Sequence, residues 1–330
     1  RAGSRRRHLS ASSSPPTPTP PQHIMRIAVV GAGGVGGFFG GMLARAAGAQ
    51  VTFIARAGAH HSAIVKDGLR IVSAEHGDFT QSVRVVEDAS SVGAVDAVLV
   101  CVKEYSLAAV APTLTPLLHE EADGEPTAVV PLLNGMGAPE VLEAALGARA
   151  CVLGGLCKIF AWIERPGVIA HKGPIDTAVI FGERSGGERP PRVRALADLF
   201  ASAGVLCTVP PQEEGGITAA MWRKFIGIAA FSAVGAATRA TLGEVLAEPR
   251  TRQLYAALLA EGVAVAAAHG VGRLDEYAAA QASRAESLPK ASTASLARDV
   301  LAGRPSELEA QVGAMVRYAE GKGVAAPAFA

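Results

Sequence analysis

From residue 26 onward, short unbroken apolar runs alternate with longer stretches in which apolar positions recur at helical spacing. Residues 26–30 (RIAVV) read as a buried strand, followed by a glycine-rich turn and a helix over 35–47. Residues 50–54 (QVTFI), 96–102 (DAVLVCV) and 127–133 (TAVVPLL) read as further strands, with an apolar helix over 106–118 between the last two. Fully apolar strands alternating with helices predict a parallel sheet covered on both faces. Residues 158–180 are punctuated by Gly and Pro and predict a hairpin turning at Arg165-Pro166-Gly167. After Pro210-Pro211 the strand signal fades. Ala, Leu, Glu and Arg dominate, and Leu308, Val312, Met315 and Val316 form an apolar stripe at helical spacing. The pattern thus predicts an α/β domain over 25–211 and an all-helical domain over 212–330, behind an extension over 1–24.

That extension differs in kind. Residues 1–23 are rich in Ser, Pro, Thr and Arg, carry no acidic residue and show no apolar periodicity. Such a segment buries too little surface to offset its ordering entropy, and its composition is that of the tail of an organellar transit peptide. The alternative is a plain disordered extension, with Met25 as an internal start.

Composition narrows the function classes. Hydrophobic residues make up 49% of the chain and charged residues 18%, a balance suited to a large core. A net charge of +1 supplies no broad basic field for nucleic acid or a membrane surface. Apolar stretches are interrupted by Gly, Arg or Lys before reaching spanning length, so no membrane helix is expected. Cys101, Cys151, Cys157 and Cys207 are scattered without a CxxC pair. They read as reduced core residues of an intracellular protein, organellar or cytoplasmic, with neither a disulfide framework nor a zinc site expected.

Chemistry first appears at Gly31-Ala32-Gly33-Gly34-Val35-Gly36. A G-x-G-x-x-G match alone is weak; this one directly follows a buried strand and opens a helix. Gly31 permits the tight turn, Gly33 lets the backbone approach a pyrophosphate, and Gly36 lets helix and strand pack closely. The helix N-terminus offers free N–H groups and partial positive charge to phosphates. An NAD enzyme usually carries Asp or Glu at the end of the second strand. Here Arg56 stands there with no acid nearby, and a guanidinium suits the 2′-phosphate of NADPH.

With these residues in hand, five motifs in register resemble the ketopantoate reductase (2-dehydropantoate 2-reductase) family. They are GAGGVGG at the first turn, Val102-Lys103, Asn134-Gly135-Met136-Gly137, Met221-Trp222-Arg223-Lys224 and Ser306-Glu307-Leu308-Glu309. The resemblance spans nearly the whole chain from Met25. It implies a Rossmann-like N-terminal domain, a helical C-terminal domain and an active site in the cleft between them. It also implies NADPH-dependent reduction of ketopantoate to pantoate, in the pathway to pantothenate, and a homodimer as one expected assembly. By the same resemblance Lys224 is the catalytic lysine and Glu307 binds the substrate hydroxyl and orients the site. Ser295 bonds the substrate carboxylate, Asn134 lines the nicotinamide and substrate pocket, and Lys103 lies on the cofactor side. For Glu307 a plainer reading stands beside this one, a carboxylate at a helix start marked by Pro305-Ser306.

One departure matters. The best-known members carry asparagines four and eight residues after the catalytic lysine, where this chain has Ile228 and Ser232. Isoleucine neither donates nor accepts, whereas Ser232 retains a polar contact. The residues therefore leave three readings open: a ketopantoate reductase, a relative acting on a different small keto acid or carbonyl, and an NADPH-binding protein without turnover.

Overall fold

A computed structural model describes residues 24–120, 124–173, 177–185, 190–274 and 276–330. The transit-peptide reading of 1–23 lies outside them.

The glycine turn is set between two elements. β1 (Met25–Val30) is buried almost throughout, and α1 (Gly34–Arg45) opens at Gly33, where no side chain caps the first N–H groups. β2 (Ala49–Ile54) returns parallel to β1. Then α2 (Ala59–Asp67) leads into β3 (Leu69–Ser73), β4 (Phe79–Gln81) and β5 (Arg84–Val86). β6 (Ala97–Val100) and β7 (Thr127–Pro131) are the expected apolar strands, each shorter than its apolar run. With β8 (Ala150–Val152) they complete a six-stranded parallel sheet of order β5-β2-β1-β6-β7-β8.

The long helix expected over 106–118 is corrected. Residues Glu104–Ser106 form a 3-10 turn, α3 covers only Leu107–Val110, and Ala111–Leu117 is again 3-10. Pro112 and Pro116 remove backbone donors and crowd the preceding turn, which breaks the α ladder. The apolar positions are still used, because Leu107, Ala111, Leu114 and Leu117 all pack under the sheet.

The hairpin at Arg165-Pro166-Gly167 is present. β10 (Ala161–Arg165) and β11 (Val168–His171) pair antiparallel, and β11 runs parallel to β3 in a second sheet of order β10-β11-β3-β4. This sheet packs on α1 so closely that a Cβ on Gly34 would sit 2.2 Å from the Ala161 carbonyl oxygen. A third sheet joins β9 (Gly154–Lys158), β12 (Ala178–Gly182) and β13 (Leu206–Thr208), with α4 (Ala138–Leu146) and α5 (Pro191–Ser202) flanking the large sheet.

Past β13 the described residues are helical. α6 (Gly216–Thr238) is the central helix, surrounded by α7 (Leu242–Ala247), α8 (Pro249–Ala268), α9 (Tyr277–Ser287), α10 (Ser295–Leu301) and α11 (Ala314–Glu320). Contrary to the sequence expectation, α6 and the turn before it are long and apolar enough to cross a membrane, and 56% of that apolar window is buried inside the fold. Phe225, Ile226, Ala229, Ala230 and Val234 of α6 form the spine of the helical core. The stripe at the C-terminus is only partly realised. Met315 is fully buried, but Leu308 is 43% exposed. Between them Glu309–Gly313 forms a π-turn, whose wider repeat rotates Leu308 away from the stripe.

Candidate active site

Parallel register brings the active loops to one edge. Val30 of β1 pairs with Ile54 of β2 and with Val100 of β6. The loops carrying Gly31–Gly36, Arg56 and Lys103 therefore leave the sheet side by side at its carboxyl end, where open α/β sheets bind ligands.

The glycine loop fits a bound pyrophosphate. Gly31 has φ 98°, and a Cβ there would press on the Cys101 carbonyl oxygen at 2.9 Å. At Gly36 a Cβ would meet the Gly31 oxygen at 1.9 Å. Gly33 is different, since a Cβ there would meet nothing within 4 Å. The space over Gly33, beside the uncapped start of α1, is the cradle a phosphate needs. Ala32 is buried and Val35 packs on the core beneath the loop.

His60, which sequence reasoning missed, ties this loop down. Its Nδ1 accepts from the Gly167 N–H at 3.1 Å, which leaves Nε2 as the donor to the Ala32 carbonyl at 2.8 Å. That pairing sets one neutral tautomer. Nothing in the local sequence marks His60, because both partners are distant in the chain. Arg56 is exposed just beyond β2.

The helical half contributes from three elements. Lys224 is half-buried on α6, one turn before Ile228, which packs against the helical core. Ser295 is half-buried as the first residue of α10, and α10 packs on α6. Glu307 is 4% exposed in the irregular segment before the π-turn. Its carboxylate turns inward: Oε2 accepts from Lys103 Nζ at 3.1 Å, and Oε1 accepts from the Glu104 N–H at 3.5 Å. The helix begins at Leu308, so Glu307 does stand at a helix start, as the plainer reading expects, while its carboxylate points to Lys103 and the Glu104 N–H.

Two further contacts close the junction. A Cβ on Gly135 (φ 102°) would lie 3.1 Å from the carbonyl oxygen of Ala310, so the loop holding Asn134 lies against the π-turn after Glu307. Lys103 also meets Asp299 of α10 at 3.5 Å. Burial alone would push the Lys103 ammonium down; the Glu307 carboxylate, then Asp299, outweigh it and hold its pKa above the ordinary lysine value.

Cys157 is buried on β9. Burial is the main reason its thiol is pushed up; Lys224 pulls it down and Glu307 pushes it further up. Cys101 and Cys157 are free, and burial raises both thiols, so neither is a ready nucleophile. Cys151 and Cys207 are also free and half-buried.

Ser232 is hydrogen-bonded within the helical half. Its hydroxyl donates to Gln311 Oε1 at 2.7 Å, and both side chains are buried at 3% and 1% exposure. Gln311 sits in the π-turn and is a residue that sequence reasoning missed. An interdomain groove of about 170 Å³ is lined by Met136 and Trp222 of the quoted motifs, with Arg184, His269 and Tyr318, and by none of the candidate catalytic, substrate-binding or cofactor-binding residues.

Comparison with known proteins agrees with this layout. The sequence matches the family described as Ketopantoate reductase PanE/ApbA over residues 27–186 and its C-terminal counterpart over 216–330. It is 30% identical to the uncharacterized oxidoreductase YkpB of Bacillus subtilis, covering 92% of this chain and 95% of that protein. The 2-dehydropantoate 2-reductase of Halobacterium salinarum is 29% identical over the same shares. The crystal structure of a PanE/ApbA family ketopantoate reductase from Ralstonia eutropha superposes with a TM-score of 0.79 at 30% identity, covering 92% of this chain and 95% of that one. Two matched domains in order, on a fold that superposes along its length, place the chain in the ketopantoate reductase PanE/ApbA family, to which it belongs.

Proposed function

We propose that this protein reduces a 2-keto acid to the 2-hydroxy acid with NADPH. The observation that carries the reading is the Lys103–Glu307 contact. It draws a lysine at the carboxyl edge of the parallel sheet onto a buried carboxylate of the helical domain.

In this reading Gly31–Gly36 and the start of α1 hold the pyrophosphate, Arg56 pairs with the 2′-phosphate, and Lys103 and Asn134 face the nicotinamide end. The bound cofactor supplies the hydride. The Lys224 ammonium stabilises the alkoxide developing on the carbonyl oxygen and gives it the proton, then takes one back from solvent. Ser295 holds the substrate carboxylate, and Glu307, fixed by Lys103, accepts from a substrate hydroxyl.

A second reading concerns the substrate. Ile228 supplies no hydrogen bond, and the Ser232 hydroxyl already donates to Gln311. This favours a keto acid with less polar decoration than ketopantoate, because a buried hydroxyl left unpaired is rejected. The test is NADPH oxidation by purified protein with a panel of 2-keto acids, ketopantoate included. Turnover of none of them, with NADPH still bound, would leave a nucleotide-binding protein in place of the reductase.

A further inference from the structure

Away from the candidate active site, three metal-ligating side chains converge at one end of the β10-β11-β3-β4 sheet. β3 ends at Ser73, and the turn into β4 carries Glu75 and His76. β11 lies parallel to β3 with His171 in register with Ser73, which sets the imidazole beside that turn. The ligating atoms of Glu75, His76 and His171 all lie within 4.8 Å of one another.

The surroundings suit a cation better than an ordinary polar cluster. His76 Nε2 is buried without a hydrogen-bond partner and lies 3.4 Å from Glu75 Oε1. A buried ring nitrogen is normally satisfied. Phe38 packs against both imidazoles, 4.2 Å from His171 and 5.5 Å from His76 between ring centroids, and forms an apolar floor under them. Outer partners are also in place. Ser73 Oγ lies 2.8 Å from His171 Nδ1, able to accept an N–H there and leave Nε2 for a metal. Thr177 Oγ1 donates to Glu75 Oε2 at 3.2 Å and would orient the carboxylate. Metal-binding histidines and carboxylates are supported in this way.

We propose that Glu75, His76 and His171 form a binding site for a divalent transition metal of the zinc class. Two imidazoles and one carboxylate are a borderline donor set, unlike the all-oxygen sets that calcium and magnesium take. Three protein ligands leave further positions for water. On binding, His171 Nε2 exchanges its 2.7 Å contact with Thr177 Oγ1 for the metal, while Thr177 keeps its bond to Glu75. None of Lys103, Lys224 and Glu307 belongs to the set, so the site lies apart from the candidate active site. It pins the β3–β4 turn to β11, in the sheet that packs on α1.

The experiment is a cobalt(II) titration of the full chain after treatment with EDTA, read by visible d–d absorption, with zinc as competitor. His76→Ala and Glu75→Gln are the variants; Glu75 is exposed, so its replacement leaves the fold intact, as circular dichroism will check. The expected result is about one equivalent of cobalt per chain. Its affinity should fall at least about tenfold in each variant, since even outer-shell changes cost that much. Zinc should raise the melting temperature of the wild type and not of the variants. Absence of cobalt bands, or equal affinity in the wild type and both variants, overturns the proposal.

Discussion

The Nζ of Lys103 lies 3.1 Å from Oε2 of Glu307, across 204 positions of sequence and the junction of the two domains. The Glu307 side chain is 3% exposed, whereas Lys103 keeps 43% of its surface. A carboxylate that deeply buried needs a charged partner, so the contact holds both the junction and the Glu307 side chain in place. Glu307→Gln keeps the shape and removes the charge. Loss of a charge-assisted hydrogen bond is worth about 1.5–3 kcal/mol, so kcat/KM for the best keto acid should fall roughly tenfold to a hundredfold. An unaltered kcat/KM would remove Glu307 from the substrate site.

The same pair predicts a pH dependence. Lys103 is raised above its ordinary value in the fold, so folding favours its ammonium. The stabilisation is complete below the unfolded lysine value, about 10.4, and is lost as pH climbs through the raised folded value. The melting-temperature difference between the wild type and Lys103→Met should stay level through neutral pH and shrink only on the strongly alkaline side. A difference that grows with rising pH would contradict the assignment.

Lys224 is the proposed proton donor. Lys224→Ala should lower turnover by ~10²-fold or more, while NADPH affinity measured by fluorescence stays near that of the wild type. Near-normal turnover would mean that another group protonates the alkoxide.

Neighbouring glycines should behave oppositely. Gly33 faces open space, so Gly33→Val should fold normally and lose cofactor binding. A Cβ on Gly34 would lie 2.2 Å from the Ala161 carbonyl oxygen, so Gly34→Val should lower the melting temperature even without cofactor. Arg56→Ala should lose most of the preference for NADPH over NADH in the same binding assay. Equal affinity of the wild type for the two cofactors would dismiss the 2′-phosphate role of Arg56.

Ile228→Asn restores a polar group one turn beyond Lys224. With Ser232 held by Gln311, the new amide should raise kcat/KM for ketopantoate relative to simple 2-keto acids by roughly tenfold, the lower end of one hydrogen bond's worth. If ketopantoate is already the preferred substrate and the asparagine adds nothing, the substitution at this position is silent.

The fold was readable wherever one short segment carried its own reason. β1, β2, β6 and β7 are apolar runs long enough to be buried on both faces, and the hairpin is written in Arg165-Pro166-Gly167. Reading failed where local signals compete. Pro112 and Pro116 break a helix that the apolar spacing predicts, and the π-turn at Glu309–Gly313 shifts a stripe that a regular helix would keep. β3, β4, β12 and β13 are short strands of three to five residues, whose pairing depends on distant partners.

The sequence by itself determined the parallel sheet, the glycine cradle and the residue types that reduction of a carbonyl requires, because each rests on contiguous residues and fixed spacing. Tertiary structure decided the rest. Only folding brings Lys103 onto Glu307, His60 between Ala32 and Gly167, and Gln311 onto Ser232. These are contacts between side chains and loops far apart in the chain, and no local periodicity encodes the distance between them. The direction in which Glu307 points follows from the same cause: a carboxylate before a helix can face solvent or the interior, and the lysine waiting across the junction settles it.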